Sequence, residues 1–149
     1  MALLPPGPTH LAVRWLHVLA MATLVGGALL CWGLLRRRAA DPLPVLRTYE
    51  WLFWGAAGLA VLTGVGNLGA IAPAIPRPAT SWGLAFSVKL VGVIGLLVGS
   101  TVRTMGVLDL PPDSNALPQT VLDRLRIGYA ATALWLLGIL VLAEVIAHG

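Results

Sequence analysis

Charge is scarce in this chain. Of its 149 residues, 11% are Asp, Glu, Lys or Arg, against about 25% in a typical soluble domain. Too few charges remain to cover a water-facing surface, which excludes an ordinary soluble enzyme and a disordered tail. The net charge of +4 is no nucleic-acid footprint, because the arginines stand at the ends of apolar runs and not along one face. Cysteine is nearly absent. The single Cys31 admits no internal disulfide, and no Cys-x-x-Cys or Cys/His zinc spacing occurs. The phosphate loop, Gly-x-Ser-x-Gly, His-Glu-x-x-His and the dinucleotide fingerprint are all missing, so no motif specifies an enzyme. The segment Met1–Pro8 has no basic stretch and no cleavage site. The first apolar run therefore reads as a retained anchor and not as a signal peptide.

Apolar length is what the chain has. Four runs, 11–35, 51–72, 82–102 and 127–147, each approach or exceed the ~20 residues that a helix needs to cross ~30 Å of hydrocarbon. All 11 prolines fall between or before these runs, where a helix breaker belongs. Trp15, Trp32, Trp51, Trp54 and Trp82 lie near the run ends, at the depth that suits an amphipathic ring; Trp135 is expected inside the bundle. Short loops make sequential helices antiparallel neighbours. The expected fold is therefore all-α: one domain, residues 1–149, forming an antiparallel four-helix integral membrane bundle. Gly26/Gly27, Gly55/Gly58, Gly64/Gly66 and Gly92/Gly95/Gly99 let helix backbones approach closely.

Orientation follows from Lys and Arg. The first connection holds Arg36, Arg37, Arg38 and Arg47, and the third holds Arg103, Arg124 and Arg126, whereas the opposite side has only Arg77 in a loop. The positive-inside rule then puts the first and third connections in the cytoplasm and both termini outside it. The expected location is a bacterial cytoplasmic (inner) membrane, crossed several times. The partners are the lipid bilayer and, given the many small residues, a larger membrane complex or a second copy; nucleic acid is not among them.

Ionisable groups inside apolar runs are expensive and point to function. Here they are Arg14, His17, Lys89 and Glu144, with His10 and His148 at run ends. In the four-span topology all six converge on the outer half. His10 and His148 lie at the boundary, Arg14 and Glu144 one turn deeper, and His17 and Lys89 about 10 Å inward. An Arg14–Glu144 ion pair and a Lys89 that snorkels to the interface would account for three of them. His10, His17 and Met21 share one stripe of the first helix, within about 40° of each other, and Cys31 lies about 60° off it. Imidazole and thioether suit copper, the sulfur favouring Cu(I). His10, His17, Met21 and His148 are thus candidate metal ligands, in a ladder running ~31 Å from His10 to Cys31. The same residues also fit a capping His, one interior His with a neighbour, a gap-filling Met and a buried Cys. The histidines equally allow haem b, with His17, Lys89 and His148 as cofactor-binding residues. Imidazoles on two helices can ligate the iron, and Lys89, level with His17, suits a propionate.

Several short motifs carry a resemblance. Arg14-Trp15-Leu16-His17, followed by Val25-Gly26-Gly27-Ala28-Leu29-Leu30, resembles the first helix of the copper-resistance protein D (CopD) membrane domain. Leu62-Thr63-Gly64 resembles its second helix; Thr80-Ser81-Trp82-Gly83, Lys89-Leu90 and Arg103 resemble its third. The similarity extends over about residues 10–147. The family often carries a Glu early in its last helix, where Arg126-Ile127-Gly128-Tyr129-Ala130-Ala131 has none. The resemblance implies copper handling across the cytoplasmic membrane. More distantly, His17 and Lys89 resemble the first-helix His and third-helix Lys of HemJ-type protoporphyrinogen oxidases, which implies haem binding. A structural accessory subunit without a metal of its own is the remaining expectation.

Overall fold

A computed structural model describes residues 7–71, 80–111 and 118–148. It contains four helices: α1 (Pro8–Arg36), α2 (Leu43–Ile71), α3 (Ser81–Leu108) and α4 (Gln119–His148). The described residues are helical with short turns and no strand. Each helix starts on a local signal. Pro8 opens α1 at a position where its missing N–H costs nothing. Pro42 and Pro118 present carbonyls to Leu46 and to Val121 and Leu122. Thr80 caps α3, its hydroxyl accepting from the Gly83 N–H at 3.0 Å.

Helices α1, α2 and α4 build the core. Ala20, Leu24, Ala28, Cys31 and Leu35 recur every three or four residues and form the buried stripe of α1. Leu46, Tyr49, Phe53, Ala57 and Ala60 do the same for α2, and Leu125, Tyr129, Ala133, Leu136 and Ile139 for α4. Helix α3 contributes only Leu96 and Val107 to the apolar core. α1 packs against both α2 and α4, and α3 leans on α4; of the helix pairs that touch, α2 and α3 have the slightest contact.

Two contacts fix the helix pairs. A Cβ on Gly27 would lie 2.2 Å from the Tyr49 ring, so only glycine lets α2 come this close. The Tyr49 hydroxyl then donates to the Leu24 carbonyl at 2.8 Å. On α3, Gly92 and Gly95 leave a groove for Trp135, whose indole N–H donates to the Gly92 carbonyl at 2.9 Å. Trp135 is 50% exposed. It therefore does not pack inside the bundle as its mid-run position suggests: the α3 glycines hold one edge, and the rest of the ring faces outward.

Many large apolar side chains point away from the core, among them Leu62, Val91, Val102 and Leu134. No water-facing surface tolerates such a belt; a bilayer does. Three helices are long and apolar enough to cross a membrane: Pro8–Arg36, Trp82–Leu108 and Gln119–Glu144 among the described residues. The remaining expected span falls on α2, which has 29 residues and carries Arg47 and Glu50 in its first turns. The end of that expected span, Ala72, lies outside the described residues.

Candidate functional site

The ionisable side chains gather at two levels. One level, toward the start of α1, holds His17. Its Nδ1 lies 2.9 Å from the Thr63 hydroxyl on α2. That hydroxyl has one proton and donates it to the Leu59 carbonyl at 2.6 Å. Thr63 Oγ1 is therefore the acceptor, and the His17 Nδ1–H is the donor. The bond sets the imidazole tautomer and leaves the lone pair on Nε2. A Cβ on Gly64 would lie 3.7 Å from His17 Cε1, so the ring fits against a small residue.

Met21 is half-buried against the core and one turn from His17 on α1, the spacing at which two side chains meet. Lys89 on α3 is half-buried. His10 is half-buried, and its Nδ1 is shielded from solvent with no hydrogen-bond partner among the described residues. It lies two turns from His17, about 10 Å along the axis, too far to share one ion. Arg14 and Glu144 are both exposed. The side chain of His148 lies outside the described residues.

The i, i+4 spacing of His17 and Met21 puts an imidazole and a thioether on one face of α1. Among the described residues, His10 Nδ1 has no hydrogen-bond partner. Among the described residues, no three His, Cys, Asp or Glu side chains form a group able to hold a metal.

The second level lies at the other end of the bundle, where the α1–α2 turn sits, and sequence reasoning missed it. Arg103 on α3 grips Glu50 on α2 through two parallel bonds, Nε to Oε1 at 2.9 Å and Nη2 to Oε2 at 3.0 Å. Both side chains are almost fully buried, at 4% and 1% exposure. Glu50 also accepts from the Tyr129 hydroxyl at 2.6 Å and from the Thr104 hydroxyl at 2.5 Å. The remaining Arg103 nitrogen donates to Thr132 Oγ1 at 2.5 Å. Three rings surround the guanidinium, Phe53 at 4.6 Å, Tyr129 at 5.0 Å and Tyr49 at 5.6 Å. The knot thus ties α2, α3 and α4 together, with every charge-bearing atom satisfied.

Arg103 counts in the sequence only as a cytoplasmic-side cation, and Glu50 falls just outside the second apolar run. Their signal is periodicity. Glu50 stands in the stripe Leu46, Phe53, Ala57, and Arg103 in the stripe Leu96, Ser100, Val107. A charge on the buried side of a helix calls for a partner. The last helix, which lacks a carboxylate in the stretch Arg126–Ala131, supplies Tyr129 to Glu50.

No protein-family model, curated protein or solved structure matches this chain.

Proposed function

We propose that this chain is a CopD-like membrane protein that binds copper or passes it across a bacterial cytoplasmic membrane. On this reading all four helices span, antiparallel, with both termini outside the cytoplasm. The orientation rests on the arginines: Arg36, Arg37, Arg38, Arg47, Arg103, Arg124 and Arg126 belong to the turn end. The observation that carries the function is the His17–Thr63 bond. An imidazole whose Nδ1–H is held by a second residue presents Nε2 as a ligand, the arrangement that orients histidines at metals. Met21 supplies a soft sulfur one turn away, which favours Cu(I) over harder cations. His10 and His148 are the receiving residues at the outer boundary, and copper enters there and moves inward to His17 and Met21. The test is a Cu(I) competition titration against a chromogenic chelator on the purified protein in detergent. Wild type takes up Cu(I), and His17→Ala/Met21→Leu loses the site. Unchanged affinity in that folded double variant overturns the proposal.

A second reading is a haem b protein, an electron-transfer subunit or a HemJ-like oxidase. One observation favours it: Lys89 is half-buried within α3, a cation inside an apolar helix that suits a ligand bringing carboxylates alongside a metal. It requires a Soret band that weakens in His17→Ala and in Lys89→Ala. A colourless protein eliminates it, and a colourless protein that also leaves Cu(I) with the chelator is a structural subunit.

A further inference from the structure

We infer that the Glu50–Arg103 knot is a lock on the seam between α2 and α3, and that its release opens the bundle as far as the Cys31 thiol. The inference does not depend on copper or haem. It starts from how unevenly the bundle is sealed. α2 is held to α1 along its length, by Val13 against Gly66, His17 on Thr63, and Tyr49 over Gly27. α3 is held to α4 by Trp135 in its glycine groove and by the Arg103 stem on Gly128. Between α2 and α3 the hydrogen bonds among the described residues are all at the turn end. Arg103 and Thr104 bind Glu50, Trp54 donates to Thr104, and Arg47 donates to the Leu110 carbonyl. Beside the knot the outer face of the seam bears a shallow open groove of about 50 Å³, lined by Glu50, Trp51, Trp54, Thr104 and Leu108.

An apolar seam has no second arrangement to move to, but a charged one does. A buried ion pair holds no better than well-packed apolar residues, and its groups remain able to bond elsewhere once the seam parts. One such place exists. The Ser100 hydroxyl, one turn along α3 from Arg103, is buried at 1% exposure and has no hydrogen-bond partner among the described residues. A buried orphan hydroxyl costs stability and needs a reason. Ser100 is a waiting acceptor for the guanidinium, or for water that follows it, when Glu50 lets go. Two sets of partners for one cation make the seam a two-state element. Behind the knot stands Cys31, fully buried, one turn along α1 from Gly27, which faces the Tyr49 ring; that ring lies 5.6 Å from the Arg103 guanidinium.

Cys31 is the only cysteine and so reports on the lock without engineering. The full chain, in lipid nanodiscs, is treated with a membrane-permeant maleimide, and the labelling rate of Cys31 is followed by mass. Wild type labels slowly. Glu50→Gln raises the rate about tenfold or more, as expected when a charged hydrogen-bond partner is lost and the open state gains population. Arg103→Lys, which keeps the charge, stays closer to wild type. Ile139→Ala weakens the core near Gly92, far from the knot, and stays slow. Should Glu50→Gln fail to fold, Tyr129→Phe, which removes one donor and keeps the ion pair, raises the rate severalfold. The lock is overturned if the folded Glu50→Gln and Tyr129→Phe variants label at the wild-type rate. It is also overturned if Ile139→Ala labels as fast as they do, because Cys31 would then report general loosening.

Discussion

Glu50 and His17 show what a single residue must satisfy inside an apolar bundle. Glu50 accepts four hydrogen bonds from three side chains, so its burial is compensated in full. Removing one partner alone is the costly change, because it leaves the other charge buried; Arg103→Met is expected to destabilise by about 3–5 kcal/mol, read by denaturant unfolding in detergent. His17 depends on its neighbour in a different way. Thr63→Val keeps the shape and removes the acceptor for Nδ1–H, so both tautomers become available. Cu(I) affinity is then expected to fall about 10- to 100-fold with the fold intact, and an unchanged affinity would show that Thr63 does not orient the ring. His17 and Met21 were legible in the sequence because helical spacing alone puts them on one stripe. Thr63 was legible only as part of a short motif, because a hydroxyl in an apolar run bonds most often to its own helix, and here it does both. Glu50 and Arg103 were not legible as a pair, since the 53 residues between them bring in a packing choice that periodicity does not make.

Four helices could be read from apolar runs and prolines, but their ends could not. The run beginning at 127 is a helix beginning at Gln119, because Pro118 starts the turn and the polar residues Asp123, Arg124 and Arg126 extend it past the hydrocarbon length. The C-terminus of α1 shows a local rule broken. Ala39 N–H bonds to the Leu34 carbonyl at 3.1 Å and Arg38 N–H to the Leu35 carbonyl at 3.3 Å, the paired bonds of a Schellman motif. The residue that must turn left-handed there is Arg38, with φ 53°, where glycine is the usual occupant. A side chain in that conformation costs about 1–2 kcal/mol, so Arg38→Gly is expected to stabilise the protein by up to about 1 kcal/mol once glycine's greater unfolded-state freedom is subtracted. A lower unfolding midpoint for this variant would mean that the Arg38 side chain makes a contact worth more than the strain. The cap of α3 gives the opposite sign. Thr80→Ala removes the acceptor for Gly83 N–H and is expected to cost about 0.5–2 kcal/mol, measured by the same unfolding midpoint.

At the scale of the molecule, the two ends of the bundle differ in kind. The turn end carries the buried knot and is fringed by Arg36, Arg37 and Arg38; all three are exposed, and Arg36 lies over the Trp32 ring at 5.2 Å. An arginine stacked on a tryptophan just beyond an apolar helix suits the headgroup level, where each ring is half in hydrocarbon. The opposite end has few basic residues and holds the histidines. On the proposed orientation this asymmetry sets how the chain inserts, because positive residues near span ends resist translocation. The expected arrangement therefore makes a quantitative demand on the whole protein and not on one site. A reporter fused after Gly149 that is active only outside the cytoplasm should score, and one that matures only in the cytoplasm should stay dark. Replacing Arg36, Arg37 and Arg38 with glutamine removes three of the seven basic residues on the turn side and should shift part of the population to the inverted orientation, seen as a gain in the cytoplasmic reporter. A cytoplasmic signal from the wild-type fusion would invert the molecule. The knot would then face outward and the histidines inward, and copper would have to reach His17 from the cytoplasm.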